Sequence, residues 1–553
     1  MTFIREKRFG DRVYKYKVES YRDEQGRPRQ RVLEYLGREA EGADGEHEAR
    51  PKRSRGTMVE EILPFGDLAL LHDTAMQIDL VETIDRLAPR QSTTSVGKAL
   101  LLLAINHHTG RVALEDVGEW YERSMLRYWL GDPPENFTEE RLLGVLDTVC
   151  KQDEDLLRDK TWIISQALRE RVEVKWSPES RYLYYDRTQT LYFGEECFYG
   201  EFGYDTEGQR KRRKVGMAIV IRRGDRFPVL YRVFRGDRPD VTTFTSVVDR
   251  LDGAGLKDLV LVVDRGMKSE ENIRFVADTP FSVVTGVRAN ERIVDELLQG
   301  LRDEDVERPG NRLHRGERIF CVVERTVDTS EGERKYVIYQ DPRRRGEEKA
   351  SLLERISTAE ERLGELEQEM ATSDERGRGR RPNWERRMKD ILNGVGRYFK
   401  AEITDGRLEW SLLEDVVEDM LPRVGRSILV STDVNIPAKE VVDVYLDKDE
   451  VEKVWRLGKG SLGLKGINHY KRDRVVSYLF VCYLAHLLWA ILRYRLRKKR
   501  VHTSVERCLR ALHRVEFVRL RSGKKEFLQT PPPVGLEKKL CEAFDLERFK
   551  KVT

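Results

Sequence analysis

The spacing of apolar residues changes several times along the chain, and each change predicts a different element. Residues 13–18 (Val-Tyr-Lys-Tyr-Lys-Val) alternate, as do residues 31–37, with Glu24-Gln25-Gly26 between them. This predicts a small β hairpin. A polar linker follows over residues 38–55. From about Thr57 to Glu173 the spacing is helical. Ile78, Val81 and Ile84 share a face, Thr93 or Thr94 stands ready to cap residues 96–106, and Leu114, Val117, Trp120 and Tyr121 mark the next helix. Thr138, followed by Glu139 and Glu140, opens another that buries Leu142, Val145, Leu146 and Val149. A helical bundle is expected here, with a DNA-reading module as its sharper version.

At about Trp176 the pattern turns to strands. Residues 181–188 are aromatic with Asp186 inside them, and residues 215–221 and 227–234 flank the turn residues Arg223-Gly224-Asp225 as a hairpin would. Residues 242–251 are helical. Residues 258–266 (Asp-Leu-Val-Leu-Val-Val-Asp-Arg-Gly) then form an unbroken apolar run ending on Asp264. Such a run is a strand buried on both faces, and strand ends are where open α/β folds place their chemistry. A helix (269–277) and another strand (281–287) complete the order three strands, helix, strand, helix, strand.

Residues 289–440 interrupt this unit. They carry a hairpin (319–325 and 335–339) and an amphipathic helix (347–370) burying Leu352, Ile356, Ala359, Leu363, Leu366 and Met370. An Arg/Gly stretch at 376–381 and strands near 408–412 and 427–431 follow. Residues 441–458 read as one helix on which Tyr445, Lys448, Glu452 and Trp455 share a face, with a glycine-rich turn (458–466) ending it. That turn lacks the Gly-Lys-Ser/Thr of a phosphate-binding loop. Residues 475–492 are apolar enough to suggest a membrane span. Ser477, His486 and the charged chain around them favour a buried core helix instead. The domains expected are therefore residues 1–55 (hairpin and linker), 56–175 (helical), 176–288 and 441–497 (two parts of an α/β core), 289–440 (a basic α+β insertion) and 498–553 (a tail).

Composition narrows the partner more than the fold. Lys+Arg at 101 nearly balance Asp+Glu at 97, so net charge does not itself imply nucleic acid. Four basic clusters (210–214, 343–345, 376–387 and 493–500) favour a polyanion. The six cysteines contain no C-x-x-C pair, which argues against a zinc ribbon or a disulfide framework and suits a reducing compartment. The polar N-terminus is not a signal peptide, so a cytoplasmic protein with no membrane association is expected.

Three carboxylates stand out by position: Asp186 in a strand, Asp264 at a strand end, and Glu452 on a helix after a long gap. Carboxylate oxygens from separate elements suit Mg²⁺ or Mn²⁺, and paired ions of this kind serve in-line phosphoryl transfer. No serine or cysteine nucleophile signature competes with them.

In these residues the chain resembles the DDE insertion-sequence transposases with a Y-x2-R-x3-E-x6-K signature. The register reads Tyr445, Lys448, Glu452 and Lys459, with Lys448 where the family has arginine. Asp186-Arg187-Thr188 resembles the family's D-x-T, and Val263-Asp264-Arg265-Gly266 its second acid, with Asn272 downstream. Tyr21-Arg22-Asp23 and Glu34-Tyr35-Leu36-Gly37 resemble the start of one subgroup. The resemblance implies an RNase H-like mixed-sheet core interrupted by an insertion domain and preceded by a helical domain. It implies Asp186, Asp264 and Glu452 as catalytic metal ligands for Mg²⁺ or Mn²⁺, and Tyr445, Lys448, Lys459 and Arg265 as DNA contacts. It further implies cleavage at terminal inverted repeats, strand transfer into double-stranded target DNA, and a homodimer on paired ends. Related enzymes stack an insertion-domain tryptophan on a flipped base. Trp384 and Trp410 are the candidates here, with a core role favoured for either. A nuclease without strand transfer, and a DNA-binding derivative without catalysis, are the alternatives.

Overall fold

The computed structural model describes residues 2–9, 12–22, 28–38, 57–90, 92–150, 160–194, 197–203, 212–330, 332–374, 383–460, 466–522 and 525–550. The chain divides into two compact units. The first comprises residues 1–179, 187–238 and 453–553, the second residues 180–186 and 239–452.

In the first unit the expected hairpin has a third strand. Thr2–Phe9 pairs antiparallel with Arg12–Arg22, which pairs with Pro28–Arg38. The turn at Glu24-Gln25-Gly26 and the linker at 39–55 lie outside the described residues. The helical reading of the next segment fails at its start. Thr57–Pro64 is a strand, paired with Glu516–Ser522, which in turn pairs with Lys525–Gln529. The C-terminal "tail" is therefore a folded part of this unit, continued by the helices Val505–Leu512 and Gly535–Phe544. Beyond Pro64 the helices form as their periodicity requires. Leu142, Val145, Leu146 and Val149 are all buried on Glu139–Val149, with Thr138 at its N-cap position. The cap of Val96–Asn106 is Ser95, whose hydroxyl accepts from the Lys98 N–H, rather than Thr93 or Thr94. Arg472–Lys498 is the one helix among the described residues long and apolar enough to cross a membrane, and 94% of its apolar window is buried inside the protein. Tyr231, Phe480 and Tyr483 stack there. The strands Arg213–Arg222 and Pro228–Arg235 form the expected hairpin. Arg226 takes a positive φ of 64° in its turn.

The second unit is built on a mixed sheet. Leu259–Val262 lies parallel to both the start of Tyr182–Leu191 and Phe281–Gly286. Phe281–Gly286 pairs antiparallel with Arg426–Ser431, and the sheet continues through Gly332–Gln340, Arg318–Thr329 and Arg312–Arg315. The expected element order is present with one addition, the two-residue strand Glu201–Phe202. The segment 289–440 is not one separate insertion. Its strands extend the sheet of the second unit, while the helices Pro342–Asp374 and Trp384–Ile391, the strand pair Phe399–Thr404 and Arg407–Leu412, and Glu414–Met420 gather round their own apolar cluster. Ile356, Ala359, Leu363, Leu366 and Met370 are buried in that cluster, and Leu352 packs against it half-buried. The stretch 376–381 lies outside the described residues.

A charged hub ties the start of the long helix Pro342–Asp374 to the strand Arg426–Ser431. Asp303 receives Arg345 Nε at 2.7 Å, Lys349 Nζ at 2.6 Å and an Arg426 terminal nitrogen at 2.7 Å. Both arginines are almost fully buried. One carboxylate thus neutralises cations from three places in the chain, as buried charges require.

Candidate active site

Asp264 ends the apolar strand where the pattern placed it. Residues 259–263 are buried and Asp264 emerges half exposed, with extended backbone at the start of the short turn Arg265–Met267. An acid here is more often a helix cap, but the Asp264 side chain makes no capping hydrogen bond. Its main chain is held instead, with the carbonyl accepting from Met267 N at 2.9 Å and from Thr285 Oγ1 at 3.3 Å. Asn272, which the sequence set beside this acid, is buried. Its amide nitrogen donates to the carbonyls of Met267 and Val241 at 2.8 and 3.0 Å, so its work is to fasten the turn. Gly266 faces open space, and Arg265 is exposed.

Asp186 lies on the strand that pairs with the one Asp264 follows. Tyr182, Leu183 and Tyr184 pair in parallel with Val260, Leu261 and Val262. Asp186 stands two residues beyond the last of these pairs on one strand, and Asp264 two residues beyond it on the other side, past the end of Leu259–Val262. Strand side chains alternate with period two, so Asp186 points to the face of Tyr184 within Tyr182–Leu191. Arg187 points the other way and is a strut: its guanidinium bonds the carbonyl of Arg235 at 3.2 Å and lies over Gly216, where an added Cβ would meet it at 2.5 Å.

The expected single helix carrying Glu452 is two helices. Ala438–Leu446 ends at Asp447, and Asp449 opens Asp449–Gly460. Arg315 holds the break, with Nε 3.1 Å from Asp443 and a terminal nitrogen paired to Asp447. Asp447-Lys448-Asp449 was the legible signal for it, because aspartate favours caps and competes with helical hydrogen bonds. The break lets Lys448 turn toward Asp264. Its ammonium is 3.1 Å from Asp264 Oδ1 and 3.9 Å from Glu452 Oε1, and only 15% of the side chain is exposed. One cation therefore touches two of the three acids, whose oxygens lie no farther apart than those two contacts end to end. Tyr445 packs behind this pair, its ring centroid 5.9 Å from the Lys448 nitrogen. It also lies against Gly286, where an added Cβ would meet the phenol oxygen at 2.9 Å and Arg265 Cβ at 3.1 Å. Burial first, and then the nearby charge of Asp264, push the Tyr445 phenol upward, so it stays a proton donor. Lys459 lies in the helix Asp449–Gly460, and its side chain is outside the described residues.

The donor set suits a hard divalent cation, since all three groups are carboxylates and the Asp264 and Glu452 side chains are half exposed. Among the described residues no three acids, histidines or cysteines yet stand close enough to enclose an ion. The Lys448 ammonium lies between Asp264 and Glu452. Trp384 and Trp410 both pack partly buried against the cluster on the Pro342–Asp374 helix, and Trp410 Nε1 donates to Glu367 at 3.0 Å. Their core role accounts for both.

With this geometry in place, comparison with known proteins gives the class. The chain belongs to the transposase DDE domain family, whose model matches residues 187–488, more than half of its length. Asp264 and Glu452 fall inside that match, and Asp186 stands one residue before it. Residues 4–55 match the N-terminal domain of IS1634 family transposases. No curated protein matches the chain. A cryo-EM structure of a piggyBac transposase synaptic complex with hairpin DNA is similar at 11% identity and a TM-score of 0.40, covering 81% of this chain and 78% of that one.

Proposed function

We propose that this DDE-family protein cleaves DNA at the ends of its mobile element and joins the freed 3′ ends to target DNA, using Asp186, Asp264 and Glu452 as the ligands of Mg²⁺ or Mn²⁺. The observation that carries the reading is the Lys448 ammonium held between Asp264 and Glu452, with Asp186 on the strand paired to the one Asp264 follows. A divalent ion bound there would neutralise charge on the scissile phosphate and make water or a 3′-hydroxyl a competent nucleophile. The chain's own residues do the rest. Lys448, freed from the carboxylates, and exposed Arg265 supply cationic contacts to phosphate oxygens; Tyr445 keeps its proton and donates it in a hydrogen bond; Lys459 extends the same contact along its helix. Lysine at position 448 keeps the charge of the signature's arginine but not its planar fork, so it binds phosphate as a point charge. The reading places the chain in the Y-x2-R-x3-E-x6-K group, with an RNase H-like core, acting as a homodimer on paired inverted repeats in a prokaryotic cytoplasm.

The test is an assay on DNA carrying the element's own terminal repeats together with a target plasmid. Wild type should give both nicked ends and a joined product with Mg²⁺, and Asp264→Ala neither. Cleavage that survives Asp264→Ala refutes the assignment, and cleavage without joined product leaves a nuclease.

A further inference from the structure

Phe193, Phe198, Phe202 and Tyr470 belong to the first unit and are 54%, 50%, 55% and 70% exposed. Large aromatics are rarely left this open without use, and an apolar patch of this kind marks an interaction surface. These are also not loose. Tyr192 anchors the loop beneath them through a bridge to Ile467, and Phe193 N donates to the Ile467 carbonyl at 3.0 Å. A Cβ added at Gly194 would meet the Tyr192 phenol oxygen at 2.2 Å, one at Gly200 the Tyr192 ring at 2.4 Å, and one at Gly466 the Phe193 ring at 2.2 Å. The glycines let the backbone wrap one buried tyrosine while the phenylalanines stand outward.

Arginines interleave with these rings. Arg472 sits 4.7 Å from the Phe198 centroid and 5.6 Å from that of Tyr199, Arg235 lies 5.4 Å from Phe198, and Arg213 lies 5.0 Å from Phe202. Glu201 and Asp237 offset Arg213 and Arg235. Arg472 differs. Its Nε is buried and meets no hydrogen-bond acceptor among the described residues, and it begins the 27-residue helix Arg472–Lys498, whose N-terminal end carries positive partial charge.

We infer that this surface binds unpaired nucleotides of a DNA strand, the bases stacking on Phe193, Phe198 and Phe202 and a phosphate oxygen accepting from Arg472. Flat aromatic faces interleaved with guanidinium groups recognise unstacked bases without regard to sequence. A duplex keeps its base faces covered and gains nothing from the rings, so the partner is single-stranded or frayed. The inference rests on the chain acting on DNA, as proposed above, and does not involve the three carboxylates.

The test compares binding of the full chain, without divalent ions, to a blunt duplex and to the same duplex with a short single-stranded tail containing 2-aminopurine. Wild type should prefer the tailed duplex and change the 2-aminopurine fluorescence on binding. Replacing Phe193, Phe198 and Phe202 together by leucine, which keeps apolar bulk and removes the ring faces, should weaken the tailed complex about tenfold or more and the blunt one less than twofold. If the triple variant does not fold, Phe198→Leu alone, with Phe198→Trp as rescue, decides the question. Equal wild-type affinity for both duplexes, or equal losses on both, overturns the inference. So does self-association of wild type that the variant abolishes, which would make the patch an interface between copies. Cleavage surviving Asp264→Ala would defeat the catalytic reading and leave this one standing. A missing tail preference with Asp264→Ala inactive would do the reverse.

Discussion

Replacing Lys448 by methionine tests the site through its electrostatics. The methionine keeps most of the stem's volume, so packing against Tyr445 changes little. What disappears is the ammonium 3.1 Å from Asp264 and 3.9 Å from Glu452. Two charges 4 Å apart interact by about 1 kcal/mol in water and several times that at a protein surface. Both carboxylates are half exposed, so solvent screening brings each pair into the range of about 0.2–1 kcal/mol, the longer contact at its lower end. Together they contribute about 1 kcal/mol that a divalent ion must forfeit to take the ammonium's place. Lys448→Met should therefore bind Mn²⁺ about fivefold more tightly without DNA, read by calorimetry or by the loss of the free-ion EPR signal. It should melt within a few degrees of wild type. On DNA the sign reverses: affinity falls, and the salt dependence loses about one phosphate contact. Unchanged or weaker Mn²⁺ binding by a folded variant would refute the reasoning.

Other consequences follow from the same geometry. Gly286→Ala should lose most DNA cleavage, because its Cβ would displace Tyr445 and Arg265, at a stability cost of about 1–3 kcal/mol; full activity would show that neither contact matters. Asp303→Asn leaves buried Arg345 and Arg426 without their counter-charge and should cost about 2 kcal/mol in urea unfolding, less than a fully buried pair because the carboxyl is one-third exposed. Burial raises the Asp303 pKa, but its Lys349 and Arg345 partners outweigh that and hold it down at about 2. Its stabilisation is then complete above the unfolded value near 4 and drains as pH falls through about 2; acid unfolding of Asp303→Asn should lack that component. Burial also holds His72 and His108 at about 4 and His486 at about 3. Below the unfolded value near 6.5 the unfolded chain takes up protons the folded one refuses. Stability should therefore decline from pH 6.5 downward, and His486→Leu should flatten that slope; an identical slope would rule the histidine out.

Much of this architecture was legible because it depends on local signals. The run 259–263 announced a doubly buried strand, and the helix 347–370 its buried stripe. What escaped reading depends on distant partners. Thr57–Pro64 pairs with Glu516–Ser522, and a bulge opposite Arg519/Leu520 breaks its alternation, so Val59 and Leu63 fall at helical spacing. The strands of segment 289–440 looked like an insertion because nothing in their own sequence says that Arg426–Ser431 pairs with Phe281–Gly286. The helix break at Asp447 is set by Arg315, more than a hundred residues earlier. At the site, the acids could be listed from sequence, but the pairing of Tyr182–Tyr184 with Val260–Val262, and the bridging position of Lys448, come only from the folded chain.

The central claim is that three carboxylates from separate elements form one metal site. Crystals soaked in Mn²⁺ and measured at the manganese edge test it directly. The account predicts an anomalous peak about 2.1 Å from carboxylate oxygens of Asp186 and Asp264, with Glu452 turned toward it and the Lys448 ammonium withdrawn. A peak elsewhere, or no peak with Lys448 still bridging Asp264 and Glu452, would contradict it.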